Sequence, residues 1–239
     1  MLQPIILAAA LARAAETDWR KSFDSLRKTA EQTAASSTKL SEGEIAAGLK
    51  EALDVGVRKS VASLGTPDGF LKAADVHIPL PEKLRTLERL TRKIGMGRKA
   101  DEFETTLNRA AESAVVESAK VFADSLKKMT LEDARAVLSG PEDSATNYFS
   151  RTSREKLRKK FLPIVHDATR RAGVTRSYAT LVDGAGPLFQ LTGSPPDLDE
   201  YVGEKALDAL FLRIKAEEKE IRRNPAARAT ALMKKVFGS

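Results

Sequence analysis

Asp143, Thr146, Asn147 and Tyr148 form the densest cluster of polar side chains in the sequence, and Asn108, Arg109 and Glu112 stand together in a run of alanines. Carboxylate, amide, guanidinium, hydroxyl and phenol groups gathered in this way could line a pocket, and an Asp/Tyr/Arg set could move a proton. The same groups also cap helices and bond across helix crossings, because buried polar groups need partners in any case. Asp208 is a further candidate. It follows Glu200 and Glu204 at steps of four, a row suited to a hard cation. Its neighbours Leu207, Phe211 and Leu212 place it on a helix expected to be buried, where an ion pair with Lys205 or an arginine from another helix would hold the carboxylate. The candidate ligand-binding set is therefore Asn108, Arg109, Glu112, Asp143, Thr146, Tyr148 and Asp208.

Other chemistries are poorly served. The absence of cysteine excludes disulfides, thiolate metal sites and cysteine nucleophiles. Of the two histidines, His77 lies in a proline-flanked connector and His166 is next to Asp167. Adjacent residues point to different helix faces, and no G-x-S-x-G elbow accompanies them. The glycines are scattered, without a Walker or dinucleotide fingerprint. The sequence thus leads us to expect no catalytic residue, no metal and no cofactor.

The net charge of +7 favours anionic partners. Residues 151–160 carry six basic side chains and one acid, and residues 213–235 carry eight and three. No aromatic stacking series interleaves with them, which disfavours nucleic acid, while an anionic membrane surface stays open as an alternative partner.

These residues must be positioned by helices. Ala, Leu, Lys, Arg and Glu dominate, against nine Phe, three Tyr and one Trp, and such side chains lose little rotamer freedom in a helix. Ser41 with Glu44 has capping-box spacing ahead of a helix of about 20 residues carrying Ile45, Leu49, Leu53, Val57 and Val61. Residues 65–69 read as a turn and 77–81 as an extended connector, with Pro81 opening the next helix, which stops at Gly95. A long helix over 98–129 places Phe103, Leu107, Ala110, Ala111, Ala114, Ser118, Val121, Phe122 and Met129 on one arc. Thr130 with Asp133, Thr152 with Glu155 and Asp197 with Glu200 mark three more helix starts, the second of these helices bent or interrupted at Pro163 and ending at Gly173. Residues 183–197 read as a surface loop. The helix over 198–223 shows almost no wholly polar face and is expected to be packed on several sides, and Asn224-Pro225 start a last helix ending near Phe237.

The expected organisation is all-α. Residues 1–15 hold an apolar run (PIILAAALARAA, 4–15) with Ala-x-Ala spacing, too short to span a bilayer and without positive residues ahead of it, which reads as a signal-peptide remnant or, alternatively, as an N-terminal helix. Residues 16–40 read as an N-terminal helix and linker, and 41–239 as a single globular multi-helix domain around a long central helix and a buried C-terminal one.

The phrases GLKEALDVGV (48–57), IPLPEKL (78–84), NRAAESAV (108–115), MTLEDARAVLSGPEDSATNYF (129–149), YVGEKALDALF (201–211) and EKEIRRNPAARATALMKKVFG (218–238) resemble, in order, the bacterial family catalogued as domain of unknown function 4197. That resemblance implies a single helical domain in proteins that commonly carry export signals, and it brings no activity, cofactor or site residue with it. The functional expectation is a non-enzymatic protein, periplasmic or otherwise exported with the cytoplasm as the alternative location, that binds a small or lipid-like ligand or a protein partner in an inter-helix cleft. The alternatives are a nucleic-acid or anionic-membrane binder acting through the basic segments, and an enzyme built on Asp143, Tyr148, Arg109 and Asp208.

Overall fold

In a computed structural model of the chain, residues 40–185 and 196–238 are described. The expected signal remnant at 1–15, the expected helix and linker up to residue 39, and most of the expected loop at 183–197 lie outside them. Among the described residues all regular structure is helical. In chain order it comprises α1 (Glu42–Leu64), a 3-10 turn (Glu82–Leu84) leading into α2 (Arg85–Lys93), α3 (Gly97–Lys127), α4 (Leu131–Leu138), α5 (Ser144–Ala172), α6 (Val174–Ala185), α7 (Leu198–Arg223), a second 3-10 turn (Pro225–Ala227) and α8 (Ala231–Gly238). The chain divides into two compact units. The first draws its described residues from within Met1–Ser60, Ala119–Arg154 and Leu212–Ser239, the second from Val61–Ser118 and Glu155–Phe211.

The helix starts follow their capping signals. The Glu44 amide donates to Ser41 Oγ at 3.2 Å and the Ser41 amide to Glu44 Oε2 at 2.7 Å, so two orphan donors at the head of α1 are satisfied reciprocally. Thr130 and Asp133 make the same box at α4, and Asp197 Oδ1 accepts the Glu200 amide at 2.9 Å ahead of α7. Thr152 differs. It lies inside α5, which already runs from Ser144, and its hydroxyl donates back to the Tyr148 carbonyl at 2.8 Å. α5 also continues through Pro163 and stops where Gly173 takes φ +77. Residues 174–185, left unassigned or read as the start of a loop from sequence, form α6. At the C-terminus Asn224 caps only a 3-10 turn, and α8 starts separately at Ala231.

In the first unit, Ala52, Ile221 and Met233 are buried together, with Val55, Ala227 and Phe237 packed against them. α1 and α8 approach so closely that a Cβ on Gly48 would lie 2.7 Å from Val236 Cγ2, a position where a glycine is needed. In the second unit the expected arc of α3 is buried at Phe103, Leu107, Ala110, Ala111, Ala114 and Ser118. α7 corrects its sequence reading. Its buried side carries Val202, Ala206, Leu207, Leu210, Phe211, Ile214, Glu218 and Ile221, while Lys205, Asp208, Leu212 and Ala216 lie on an exposed stripe. Apolar Leu212 hid that stripe, being itself 45% exposed.

Candidate functional site

The seven candidate residues fall in both units. Asn108, Arg109, Glu112 and Asp208 belong to the second, and Asp143, Thr146 and Tyr148 to the first.

On α3 the Asn-Arg-Ala-Ala-Glu run holds down the irregular chain that follows α1. Asn108 is fully buried. Its Oδ1 accepts the Ile78 amide at 3.0 Å and its Nδ2 donates to the Ile78 carbonyl at 2.8 Å, so one side-chain amide pairs both backbone groups of an extended residue. Glu112, also buried, accepts the Phe70 amide at 3.3 Å and Arg109 Nη1 at 2.7 Å. Arg109 Nη2 reaches Asp68 Oδ1 at 2.6 Å, and Lys72 pairs with the same carboxylate at 2.7 Å. Asp68 sits at φ +69, a conformation that aspartate tolerates better than most residues, and hydrogen bonds from Lys72 and Arg109 hold its carboxyl below the usual range. Pro79 and Pro81 flank this stretch without backbone donors, and the Pro79 carbonyl accepts the Tyr201 hydroxyl at 2.8 Å. Asn108 and Glu112 thus satisfy backbone groups that the connector's own turns leave over, and Arg109 braces Glu112 and Asp68.

In the first unit the equivalent work is done from α7. Glu218 is buried and accepts the Ala145 amide at 2.9 Å, the Thr146 amide at 2.9 Å and the Thr146 hydroxyl at 2.7 Å, so a carboxylate sits at the positive end of α5. One turn later Arg222 pairs with Glu218 and donates to the carbonyls of Val137 at 2.8 Å and Leu138 at 3.3 Å, at the negative end of α4. One i,i+4 pair therefore serves both ends of the turn between α4 and α5. Sequence reasoning found Thr146 but missed Glu218 and Arg222. The available signal was their position among Ile214 and Ile221, at steps that put all four on one side of α7.

The remaining candidates are also engaged. Lys215 Nζ lies 2.6 Å from Asp143 Oδ2, and this hydrogen bond holds the carboxyl below its ordinary range. Tyr148 donates to Asp133, which lowers the Asp133 carboxyl, while burial and then Asp133 push the phenol up to about 12. Burial pushes Tyr178 and Tyr201 up as well, so all three tyrosines of the chain favour the neutral form when folded. Their contribution to stability is complete below the ordinary phenol value of about 10 and is lost as pH rises toward the folded values. A phenolate absorbance titration should therefore start above the ordinary range in the native protein and return to it in guanidinium chloride. A native curve that ionises near 10 for any tyrosine would contradict the burial.

Asp208 is exposed, which overturns its expected place in a buried ion pair. The carboxylate row before it is occupied from within the protein: Arg158 Nη2 lies 3.1 Å from Glu200 Oε1, and its Nε lies 3.1 Å from Glu204 Oε1. Among the described residues no group of three or more His, Asp or Glu side chains is placed to hold a metal. Both histidines face carboxylates, His77 Nε2 at 3.0 Å from Glu104 and His166 Nδ1 at 2.6 Å from Asp199.

Much of the basic run 213–235 is also paired within the protein. Arg228 is buried and donates to the carbonyls of Ile221 and Arg222 at the end of α7, Arg223 pairs with Glu142, and Lys215 and Arg222 are bound as above. Beside Glu218, a void lined by Leu49, Leu53, Ile214, Ile221 and Phe237 measures about 10 Å³, the room of a single water.

Fold and polar pairing together define an all-α protein whose buried polar side chains are bound largely to its own backbone. The chain belongs to the family described as protein of unknown function (DUF4197), which it matches over residues 39–238. No curated protein and no solved structure matches it.

Proposed function

We propose that this is a non-enzymatic, exported helical protein that acts by presenting its outer surface to a larger partner, not by enclosing a small ligand. The observation that carries this reading is the commitment of the buried polar side chains to partners within the protein, with which the small void beside Glu218 agrees. At about 10 Å³ the void is far below the roughly 300 Å³ at which small-molecule pockets begin. The polar groups that would equip a pocket are so committed, Asn108, Glu112 and Thr146 being bound to main-chain partners and Glu218. An enzyme on Asp143, Tyr148, Arg109 and Asp208 is less well supported, because the first three are bound in separate local pairings and Asp208 is exposed. The apolar run at 4–15 and the family resemblance are what support export.

Native mass spectrometry of the protein drawn gently from its own envelope fraction tests the proposal. A defined heteromer, or a mass carrying many lipids that dissociate together, is expected. A single stoichiometric small-molecule adduct that survives dilution and leaves on denaturation would reverse it.

A further inference from the structure

Ile94 and Met96 stand at the tip of the turn joining α2 to α3 and are 53% and 39% exposed. Single exposed apolar residues are common and mean little. This pair is different because the backbone holds it out. Ile94 is the C-cap of α2, Gly95 follows at φ +81, the Met96 amide donates to the Thr91 carbonyl at 2.8 Å and the Gly95 amide to the Arg92 carbonyl at 3.2 Å. These are the two bonds of a Schellman closure, and the positive φ is the reason a glycine stands there. The Lys99 amide then donates to the Met96 carbonyl at 3.0 Å, so Met96 also opens α3. The residue in the place of Met96 often folds back on the preceding turn in such closures. Here its counterpart is Thr91, whose hydroxyl is bound to the Glu88 carbonyl, and Met96 stays partly in solvent.

The collar around this tip is basic. Residues 89–99 contain Arg89, Arg92, Lys93, Arg98 and Lys99 and no acid, although the described residues of the second unit balance Lys and Arg against Asp and Glu one for one. Arg92 is committed to Glu88 at 2.9 Å and Asp101 at 2.6 Å. Lys99 lays its stem against Gly184, where a Cβ would come within 2.8 Å of Lys99 Cδ. Arg89 and Lys93 are exposed, and the Arg98 side chain is 90% exposed with Glu102 no nearer than 3.4 Å.

From this placement we propose that the α2–α3 tip docks on an anionic lipid surface, with Ile94 and Met96 entering the boundary between headgroups and acyl chains while Arg89, Lys93 and Arg98 meet lipid phosphates. The assignment rests on the surface-acting reading above and names its partner. Exposed apolar groups in one turn, with exposed cations on the helix ends to either side of it, offer both of the groups a membrane interface takes up, apolar side chains for the acyl boundary and cations for the phosphates. Nucleic acid would use the cations but offers the apex residues no apolar layer. Two side chains and three cations give weak, reversible and salt-sensitive attachment, in keeping with the single-signal limit for membrane anchoring.

The test is flotation of the full chain with vesicles of phosphatidylcholine alone or mixed equally with phosphatidylglycerol, at low and high salt. Binding is expected to the mixed vesicles at low salt and to fall with added salt. Ile94→Asp with Met96→Asp should lower the partition coefficient by about tenfold or more, and Lys93→Gln with Arg98→Gln by about 30-fold at low salt, from the worth of apolar burial and of each interfacial cation. All four positions are exposed, so the variants should keep the wild-type melting temperature, which is checked first. Because the chain has no cysteine, an environment-sensitive dye can be placed singly at Ile94→Cys and, as a control on the other unit's exposed Leu131, at Leu131→Cys. A blue shift with mixed vesicles is expected at 94 and not at 131. Equal flotation of the Ile94/Met96 variant, or an equal shift at both positions, would overturn the tip assignment. If the wild type does not float at all, the lipid partner is refuted, while a heteromer seen by native mass spectrometry would keep the surface-acting reading in place.

Discussion

Replacing Glu218 with alanine should lower stability by about 3 to 5 kcal/mol, the loss expected when one member of a buried, hydrogen-bonded ion pair is removed. The side chain is 5% exposed and accepts from Ala145, Thr146 and Arg222. Without it Arg222 keeps its contacts with the α4 carbonyls but loses its counter-charge, and the first amides of α5 face the small apolar void. A fall in melting temperature of roughly 10 °C corresponds to that loss in a chain of this length. Glu218→Gln should cost less, because it still offers an acceptor to one of the two amides. The cycle Glu218→Ala, Arg222→Ala and the double variant isolates the pair, and a coupling of about 0.5 to 3 kcal/mol is expected. Additive losses, or a single variant melting like the wild type, would show that the two helix ends are satisfied independently of α7.

Where both partners of a contact lie within one turn of sequence, the structure could be read ahead. Ser41 with Glu44, Thr130 with Asp133 and Asp197 with Glu200 start helices because the side chain and the amide it serves are three residues apart. Thr152 with Glu155 has the same spacing and starts nothing, because α5 reaches Thr152 from Ser144 already formed and offers it the Tyr148 carbonyl. Spacing marks a potential cap, and only the preceding residues decide whether a helix end is there to use it. The buried arc of α3 was legible from its apolar steps of three and four, whereas the exposed stripe of α7 was not, since Leu212 and Ala216 stand in it among Lys205 and Asp208.

The polar clusters were visible as clusters, and their purpose was not. Glu218 and Arg222 act on backbone groups 72 and 85 positions away, and a backbone amide or carbonyl has no identity in the sequence. Basic residues suffer the same ambiguity. A count over 213–235 sees eight cations, but Lys215 and Arg223 meet Asp143 and Glu142 from the turn between α4 and α5, and Arg222 and Arg228 end helices. The stretch 89–99 holds fewer cations yet leaves Arg89, Lys93 and Arg98 facing outward. Charge density along the chain is thus a poor guide to charge at the surface when helices bring acids from elsewhere.

Asn108→Leu should cost about 2 to 4 kcal/mol, since it leaves the buried amide and carbonyl of Ile78 without partners and each orphaned group is worth roughly 1 to 3 kcal/mol. Leucine keeps the branching and the heavy-atom count of asparagine, but its methyl groups are bulkier, so overpacking at this buried position adds to the hydrogen-bond loss. Asn108→Asp separates donor from acceptor. Ionised, the new carboxylate could take the Ile78 amide but would set a second oxygen against the Ile78 carbonyl, in a position with no exposure to water. Protonated, it could accept the amide and donate to the carbonyl as the asparagine does. Burial therefore raises the folded pKa of this aspartate above its unfolded value of about 3.9, and the stability tied to the neutral acid is present below that value and lost as pH rises through the folded one. Melting curves from acid to neutral pH should bring Asn108→Asp close to the wild type at the acid end and well below it at neutrality, while Asn108→Leu keeps a constant deficit. Parallel curves for the two variants would mean that Ile78 finds other partners and that α3 does not hold the connector through this amide.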